Sequence, residues 1–552
     1  MTSQQPKPAE GKTASRTARR APAGENSERQ GNVFRQWLLP VGFTAGLALF
    51  SYLGFRLLDF GADGTAAGFK DVLFLTDPEE VGNALGGVSE VLIAILGLVI
   101  TVVAIVVQLA AQRYTPKLID LFIADRINIA FFILMVVASM YSVLLIYSTT
   151  TNFLPFWGSL FILALTSLIL SLLIPYFNYV FLFLTPENII AIIRANAKKG
   201  MLKVLSASKK DDEIRRQQRE VANAMEQISD IALSAVSQMD RNVALLSIRT
   251  LKDVLVDYLL IKRRMPRRWF YAQKDFFPAL SMDFIKEIHA TRTWVEAKGF
   301  MDMELIFKTA IKEMPDAVSA VANNAKIIGL YAIRLKDFQV LSDVVQFFNT
   351  FLRLAVNNRN PKAIYNLFYQ YRLLAEEVLR VDIKLAEKIA FYFKYYGQIA
   401  QNYNIPLILI TASFDLAYLL EKAYLMKLPS LENLMKIFLE IDDNPATQSN
   451  EFELRSVRKA QLMFASFLLS QGDSEVVQQI VADMKDEPQE RMEAIRSEML
   501  AVTERKFWEV TDRGVDFFFM EEEQKKYLNE LFTNYFEPRF KAADGPPRAQ
   551  TA

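Results

Sequence analysis

One histidine, His289, and no cysteine stand among the 552 residues. Their scarcity removes cysteine nucleophiles, disulfides, iron–sulfur clusters and every Cys/His metal cage. A Ser-His-Asp arrangement would have to use His289, which lies in a charged, helix-patterned stretch with no nucleophile motif beside it. Walker A, dinucleotide-fingerprint and nucleophile-elbow patterns are missing. Carboxylates remain, as in Asp442-Asp443-Asn444-Pro445 and the stretch from Asp483 to Glu490, but not at EF-hand spacing. The expectation is therefore a protein that is not an enzyme and needs no cofactor, with a carboxylate-based hydrolase as the one catalytic class left open. Lys plus Arg number 63 against 62 for Asp plus Glu, a net charge of +1, which argues against nucleic acid as a partner.

The polar groups that could act without titrating are concentrated in apolar segments. Four such segments, about 37–58, 91–112, 128–149 and 156–184, each reach the ~20 residues that cross ~30 Å of hydrocarbon. In lipid the backbone must satisfy itself, so each is expected to be a helix. The last carries Pro175, so a kink, a tilt or an extension beyond the bilayer is expected. Segments two to four contain no charged residue, which weighs against a proton relay or an ion-coupled transporter. They do contain Thr101, Gln108, Gln112, Ser139, Ser142, Thr166, Ser167 and Ser171. These groups suit either hydrogen bonds between helices or the weakly polar lining of a pore. Four helices enclose no pore alone, so the second use implies a homo-oligomer.

Charge orients the segments. The tail 1–35 carries seven basic residues against three acidic ones and too little apolar surface to order itself. Loop 59–90 is acidic, with Lys70 as its one base, whereas Arg113, Lys117 and Arg126 follow the second segment and Arg194, Lys198 and Lys199 follow the fourth. Basic residues mark the cytoplasmic side, so both termini are expected there. Trp37 and Trp157 stand at segment ends, where interfacial anchors belong.

The stretch from Gln108 to Asp125, QLAAQRYTPKLIDLFIAD, is the most distinctive in the chain. Pro116 should end the span, with Thr115 as the cap of a short helix over 116–124. Such an elbow is either a tight connector between spans or a coupling piece touched by the rest of the protein, with Arg113 and Lys117 within reach of lipid phosphates. Gln108, Gln112, Arg113, Tyr114, Thr115, Pro116, Lys117, Phe122 and Asp125 are the candidate elbow residues. A glutamine, then aromatic-Ser/Thr-Pro-base, then Phe and Asp, resembles the DUF2254 family of bacterial membrane proteins over about residues 40–150. A weaker likeness follows at 227–251, where Asp230, Ile231, Ala232, Ala235 and Ser237 fit. Ser234 and Gln238 replace that family's arginine and proline, and its Asn-Asp-Pro turn and Gly-Tyr-Val-rich insert are missing. The resemblance implies a multi-pass protein of the bacterial inner membrane and no particular chemistry.

From Thr185 to about Phe540 apolar residues recur at three and four, as in Ile228, Ile231, Ala235, Met239, Val243 and Leu246, and prolines punctuate helix-length stretches. The fold class expected is all-α: a four-helix membrane domain (36–184), a helical stalk (185–265) and a solenoid-like helical array (279–540), with tails at 1–35 and 541–552. Between stalk and array, Lys262, Arg263, Arg264, Arg267, Arg268 and Trp269 could form an anionic-lipid patch or a solvated turn. The aromatic-rich stretch 346–403 reads as core, or as a face that grips a peptide. These features favour a membrane-anchored scaffold whose array binds a protein partner. The alternative is an oligomeric ion channel or transport component gated or assembled by the array.

Overall fold

The structure is a computed structural model and describes residues 50, 78–150, 155–205, 211–429, 431–443, 450–507, 511 and 513–543. The tail 1–35, the first apolar segment (37–58) apart from residue 50, and residues 544–552 lie outside the described residues. Among the described residues the chain is helical, with one isolated bridge, Lys506 to Val515, and no strand. Among the described residues three helices are long and apolar enough to cross a membrane, and they carry the second, third and fourth expected segments.

The chain divides into two units. The first takes in the described residues up to Leu109 together with Ile119–Leu184; the second is Ala110–Leu118 with Thr185 onward. Within the first, α1 (Pro78–Arg113) starts 13 residues before the apolar run, with Glu79 and Glu80 in its first turn, where the helix dipole favours acids. α2 (Leu118–Ile123) is a short connector. α3 (Arg126–Ser148) is capped by Asp125, whose side chain accepts from the amides of Ile127 and Asn128 at 3.0 and 3.2 Å. α4 (Phe156–Phe183) keeps Pro175 inside it, and the next residue, Tyr176, stacks on Phe131 at 3.8 Å. That packing supports the helix where the proline removes a backbone donor.

The second unit is a two-row solenoid. One row holds α6 (Asp211–Ser237), α9 (Trp294–Glu313), α11 (Phe338–Asn357), α13 (Ile383–Asn402) and α15 (Leu431–Leu439). The other holds α7 (Arg241–Leu259), α10 (Pro315–Leu335), α12 (Pro361–Val378), α14 (Pro406–Leu425) and α16 (Glu451–Ser470). α5 (Pro186–Leu205) packs on α6 and α7, and α8 (Met282–Thr291) against α9. From α10 to α14 a helix begins every 22 or 23 residues, so the repeat is a helix pair of about 45. The punctuation is local chemistry. Pro315, Pro361 and Pro406 open second-row helices at positions where the missing amide is not needed. Asp240, Asp337, Asn360 and Asp382 cap helices through their side chains. Three of those caps follow a residue with left-handed φ: Met239, Lys336 and Arg359. The turn at Met239 divides what the 228–246 periodicity presents as continuous helix.

Residues 185–265 and 279–540 lie in this one unit, where α6 packs on α9 and α7 on α10. The link between them is three short 3-10 turns, Lys262–Arg264, Arg267–Phe270 and Lys274–Phe276. The last helix, Glu537–Ala543, continues into the stretch expected to be a tail.

Candidate functional site

Along α1, large apolar residues (Leu85, Leu92, Val99, Val103, Val107) are buried on one side. The opposite side is a different surface. Gly87, Glu90, Ala94, Gly97, Thr101, Ala104 and Gln108 are all exposed. They are spaced alternately by three and four, so they form one stripe along the helix. Gly87 to Gln108 covers roughly 32 Å at 1.5 Å per residue, the depth of a hydrocarbon core. A Cβ built on Gly87 or Gly97 meets nothing within 4 Å, so the stripe is not filled by the described part of the chain. Bulky Ile93, Leu98, Ile100 and Ile105 flank it. Glutamine and glutamate side chains facing acyl chains are costly, so such a stripe belongs against protein or water.

The polar residues expected in the other spans are engaged within their own helices. Ser139, Thr166, Ser167 and Ser171 each donate to the carbonyl four residues back, at 2.7–2.9 Å. Ser142 is fully buried, donates to the Ser139 carbonyl at 2.8 Å and accepts from the Ser89 hydroxyl at 3.1 Å. Thr101 also donates to its i−4 carbonyl, that of Gly97, yet stays exposed on the stripe with Gln108. Gln112, also exposed, lies one turn beyond Gln108. The expected pore or interhelical set thus divides between helix-internal groups, buried or half-buried, and the exposed α1 stripe. Glu90 stands out in the sequence as an ionisable group at the start of the second segment, whereas Gly87, Ala94, Gly97 and Ala104 do not stand out as site residues. Their 3-4 alternation of small and polar types was the available signal.

The elbow follows directly. It does not fold as one helix over 116–124: the Thr115 carbonyl accepts from Leu118 N at 3.1 Å in a tight turn, and helix begins at Leu118. Thr115 is 2% exposed and its hydroxyl has no hydrogen-bond partner, so it is packed rather than capping. Asp125 instead caps α3 and accepts from the Tyr179 hydroxyl at 2.8 Å, while Phe122 meets Phe183 edge-on at 5.5 Å.

Residues 110–118 cluster with the solenoid, and their contacts are specific. The Arg113 carbonyl, left open at the end of α1, accepts from the Ser234 hydroxyl at 2.5 Å and from Gln238 Nε2 at 3.4 Å. The Arg113 guanidinium pairs with Asp240 at 3.4 Å and lies 5.1 Å from the Tyr114 ring. Lys117 pairs with Glu226 at 3.7 Å. Both cations expected to reach phosphates are thus turned to acids on α6 and at its end. Ser234 and Gln238 are the groups that hold the elbow carbonyl.

Next to Lys117 lies a group of charges. Glu226 and Asp230 sit one turn apart on α6, and Lys298 and Asp302 one turn apart on α9. Lys298 Nζ donates to Asp302 Oδ1 at 2.7 Å, whereas Asp302 Oδ2 is buried with no hydrogen-bond partner. Burial lifts the Asp302 carboxyl to about 6, against the pull of Lys298. Burial and Glu226 lift that of Asp230, and Lys117 and Lys298 oppose the rise. Among the described residues no group of three His, Cys, Asp or Glu is arranged to hold a metal ion.

The basic patch divides in two. Lys262 is 7% exposed and bonds Glu296 at 2.7 Å and Asp337 at 2.9 Å, and these acids hold its ammonium charged despite burial. Trp269 is fully buried between Tyr258 and Trp294, and its carbonyl accepts from Trp294 Nε1 at 2.8 Å. Those two residues belong to the core. Arg263 donates to the Leu335 carbonyl and Arg268 pairs with Asp211, while Arg264 and Arg267 stay exposed. His289 contacts the Ala272 carbonyl at 3.1 Å, a bond within the fold.

No curated protein matches this chain. A solved structure described as a circular tandem repeat protein with novel repeat topology and enhanced subunit contact surfaces is similar over 85% of this chain and 95% of its own. The identity is 12% and the TM-score 0.31, a likeness too weak to bear on this fold. Residues 35–223, which include α1, the elbow and the start of α6, match the model of DUF2254, a family of predicted membrane proteins, and over that segment the chain is similar to this family.

Proposed function

We propose that the protein is a subunit of an oligomeric conduit in the bacterial inner membrane, with α1 lining the path and the solenoid on the cytoplasmic side acting on it through the elbow. The observation that carries this reading is the exposed stripe from Gly87 to Gln108 on a helix otherwise suited to lipid. Several copies arranged about an axis would turn their stripes to a common, weakly polar lumen. Glu90, near the outer end, is the stripe's one charged group, which favours cations over anions. We propose no enzymatic role.

The test is reconstitution of the full-length protein in liposomes under a potassium gradient, with its mass in detergent measured alongside. The reading expects an oligomer and cation flux above that of empty liposomes. A strictly monomeric protein, or a correctly inserted oligomer without flux, would sink it.

A second reading, a membrane-anchored scaffold, is favoured by one surface feature. Phe391 and Tyr395 on α13 are 49% and 45% exposed and stack at 6.3 Å, an aromatic pair suited to anchoring a partner peptide. It expects capture of a defined partner that is lost in Phe391→Ala/Tyr395→Ala. Unchanged capture in that double variant would contradict it.

A further inference from the structure

The charges beside the elbow form a linked group that does not balance. Lys117 belongs to the elbow, Glu226 and Asp230 to α6, and Lys298 and Asp302 to α9. Three carboxylates face two ammonium groups. The least accommodated is Asp302, 6% exposed, with one oxygen on Lys298 and the other buried without a partner. We propose that the elbow is a proton-sensitive latch, held on α6 when these carboxylates are ionised and loosened when Asp302 takes up a proton. This rests on the reading of the elbow as the link between α1 and the solenoid.

Proton uptake and the hold on Lys117 are linked. The charged groups acting on Asp302 are Lys298 on its own helix and Glu226 and Asp230 on α6. Those acting on Asp230 are Glu226, Lys117 and Lys298. The other helices packed on α9, namely α7, α8, α10 and α11, supply none of these. Lys117 favours the ionised form of Asp230, so ionised Asp230 must favour Lys117 in place by the same factor. Protonating Asp302 neutralises the partner of Lys298. The Lys298 ammonium can then turn to Asp230 and Glu226, where it competes with Lys117. Departure of Lys117 in turn makes the carboxylates easier to protonate, so acid and release reinforce each other. The carboxyl of Asp302 is raised to about 6, so release is expected as pH falls through that value and recapture as it rises. The Lys117–Glu226 pair is half-exposed, so the bias is modest, about threefold to tenfold in the latch equilibrium.

Hydrogen–deuterium exchange of the full-length protein tests this, read on peptides covering residues 110–124 and corrected for the intrinsic pH dependence of exchange. Wild type at pH 5.0 should exchange there about threefold or more faster than at pH 7.5, with peptides of α12 unchanged. Lys117→Met should give the fast rate at both pH values. Asp302→Asn, close in shape and unable to ionise, should give the fast rate already at pH 7.5 and lose the response. Equal wild-type protection at both pH values overturns the latch, as does a wild-type response in Asp302→Asn. Ion flux is not part of this readout. A responsive elbow in a protein that conducts nothing refutes the conduit and keeps the latch; a conducting protein with an unresponsive elbow does the reverse.

Discussion

Gly97→Leu is expected to cut ion flux by about tenfold or more while the protein inserts and assembles as before, because an apolar constriction closes a narrow path by expelling water. The variant separates a lining position from a packing position. A Cβ at Gly97 meets nothing within 4 Å, so the new side chain costs its own subunit little beyond what it projects into. Gly97 is also mid-helix, where leucine is the better helix former by up to about 1 kcal/mol. Any loss must therefore come from what faces the stripe. Gln108→Leu should act in the same direction at the inner end. Leu98→Ala, one residue along and 62% exposed on the flank, should leave flux near wild type. Equal losses at Gly97 and Leu98 would place no special role on the stripe.

The largest expected loss of stability lies in the second unit, at Asp415 on α14. This carboxylate is fully buried, accepts from Arg513 Nη2 at 2.7 Å and forms an ion pair with Arg372, whose Nε lies 3.0 Å away. Arg513 arrives from the non-helical segment before Glu522 and lies over Tyr365 at 4.5 Å and Phe517 at 5.0 Å. Asp415→Ala leaves two guanidinium groups in a buried site with their shared anion gone, and should destabilise the protein by about 3–5 kcal/mol. Asp415→Leu/Arg513→Met should cost less than Asp415→Ala, because the double change removes one of the two stranded charges and leaves Arg372 its second acid, Glu376. Urea unfolding followed by circular dichroism reads both. A double variant that loses as much as the single one would show that shape, not charge, sets the cost.

Much of this architecture is legible in the chain because local chemistry dictates it. The apolar runs at 91–112, 128–149 and 156–184 fall within long helices, since no other element satisfies its backbone through so many consecutive apolar residues. Pro315, Pro361 and Pro406 mark helix starts because proline tolerates the first turn and little else. What escapes the sequence is set by distant partners. Lys262 and Trp269 look like a basic-aromatic surface because Glu296 and Asp337, which bury the lysine, lie 34 and 75 positions away. Met239 continues an apolar spacing, yet turns the chain because Asp240 next to it caps a new helix. The elbow motif stands out in the sequence, but its engagement with Ser234, Gln238 and Glu226 depends on residues more than 100 positions on. The solenoid repeat is carried by turn and cap geometry rather than by a consensus of core residues, so it is plain in the structure and faint in the letters.

The central claim is that one face of α1 meets water inside an assembly while its neighbours meet lipid or protein. The chain has no cysteine, so single cysteines can be placed along α1 of the full-length protein without a background. The measurement is the rate at which a charged, membrane-impermeant thiol reagent modifies cysteines placed one at a time from position 87 to 108 in liposomes. The account predicts fast modification at 87, 94, 97, 101, 104 and 108, and slow modification at 93, 98, 100 and 105. Uniformly slow modification, or fast modification centred on the flanking positions, would contradict it.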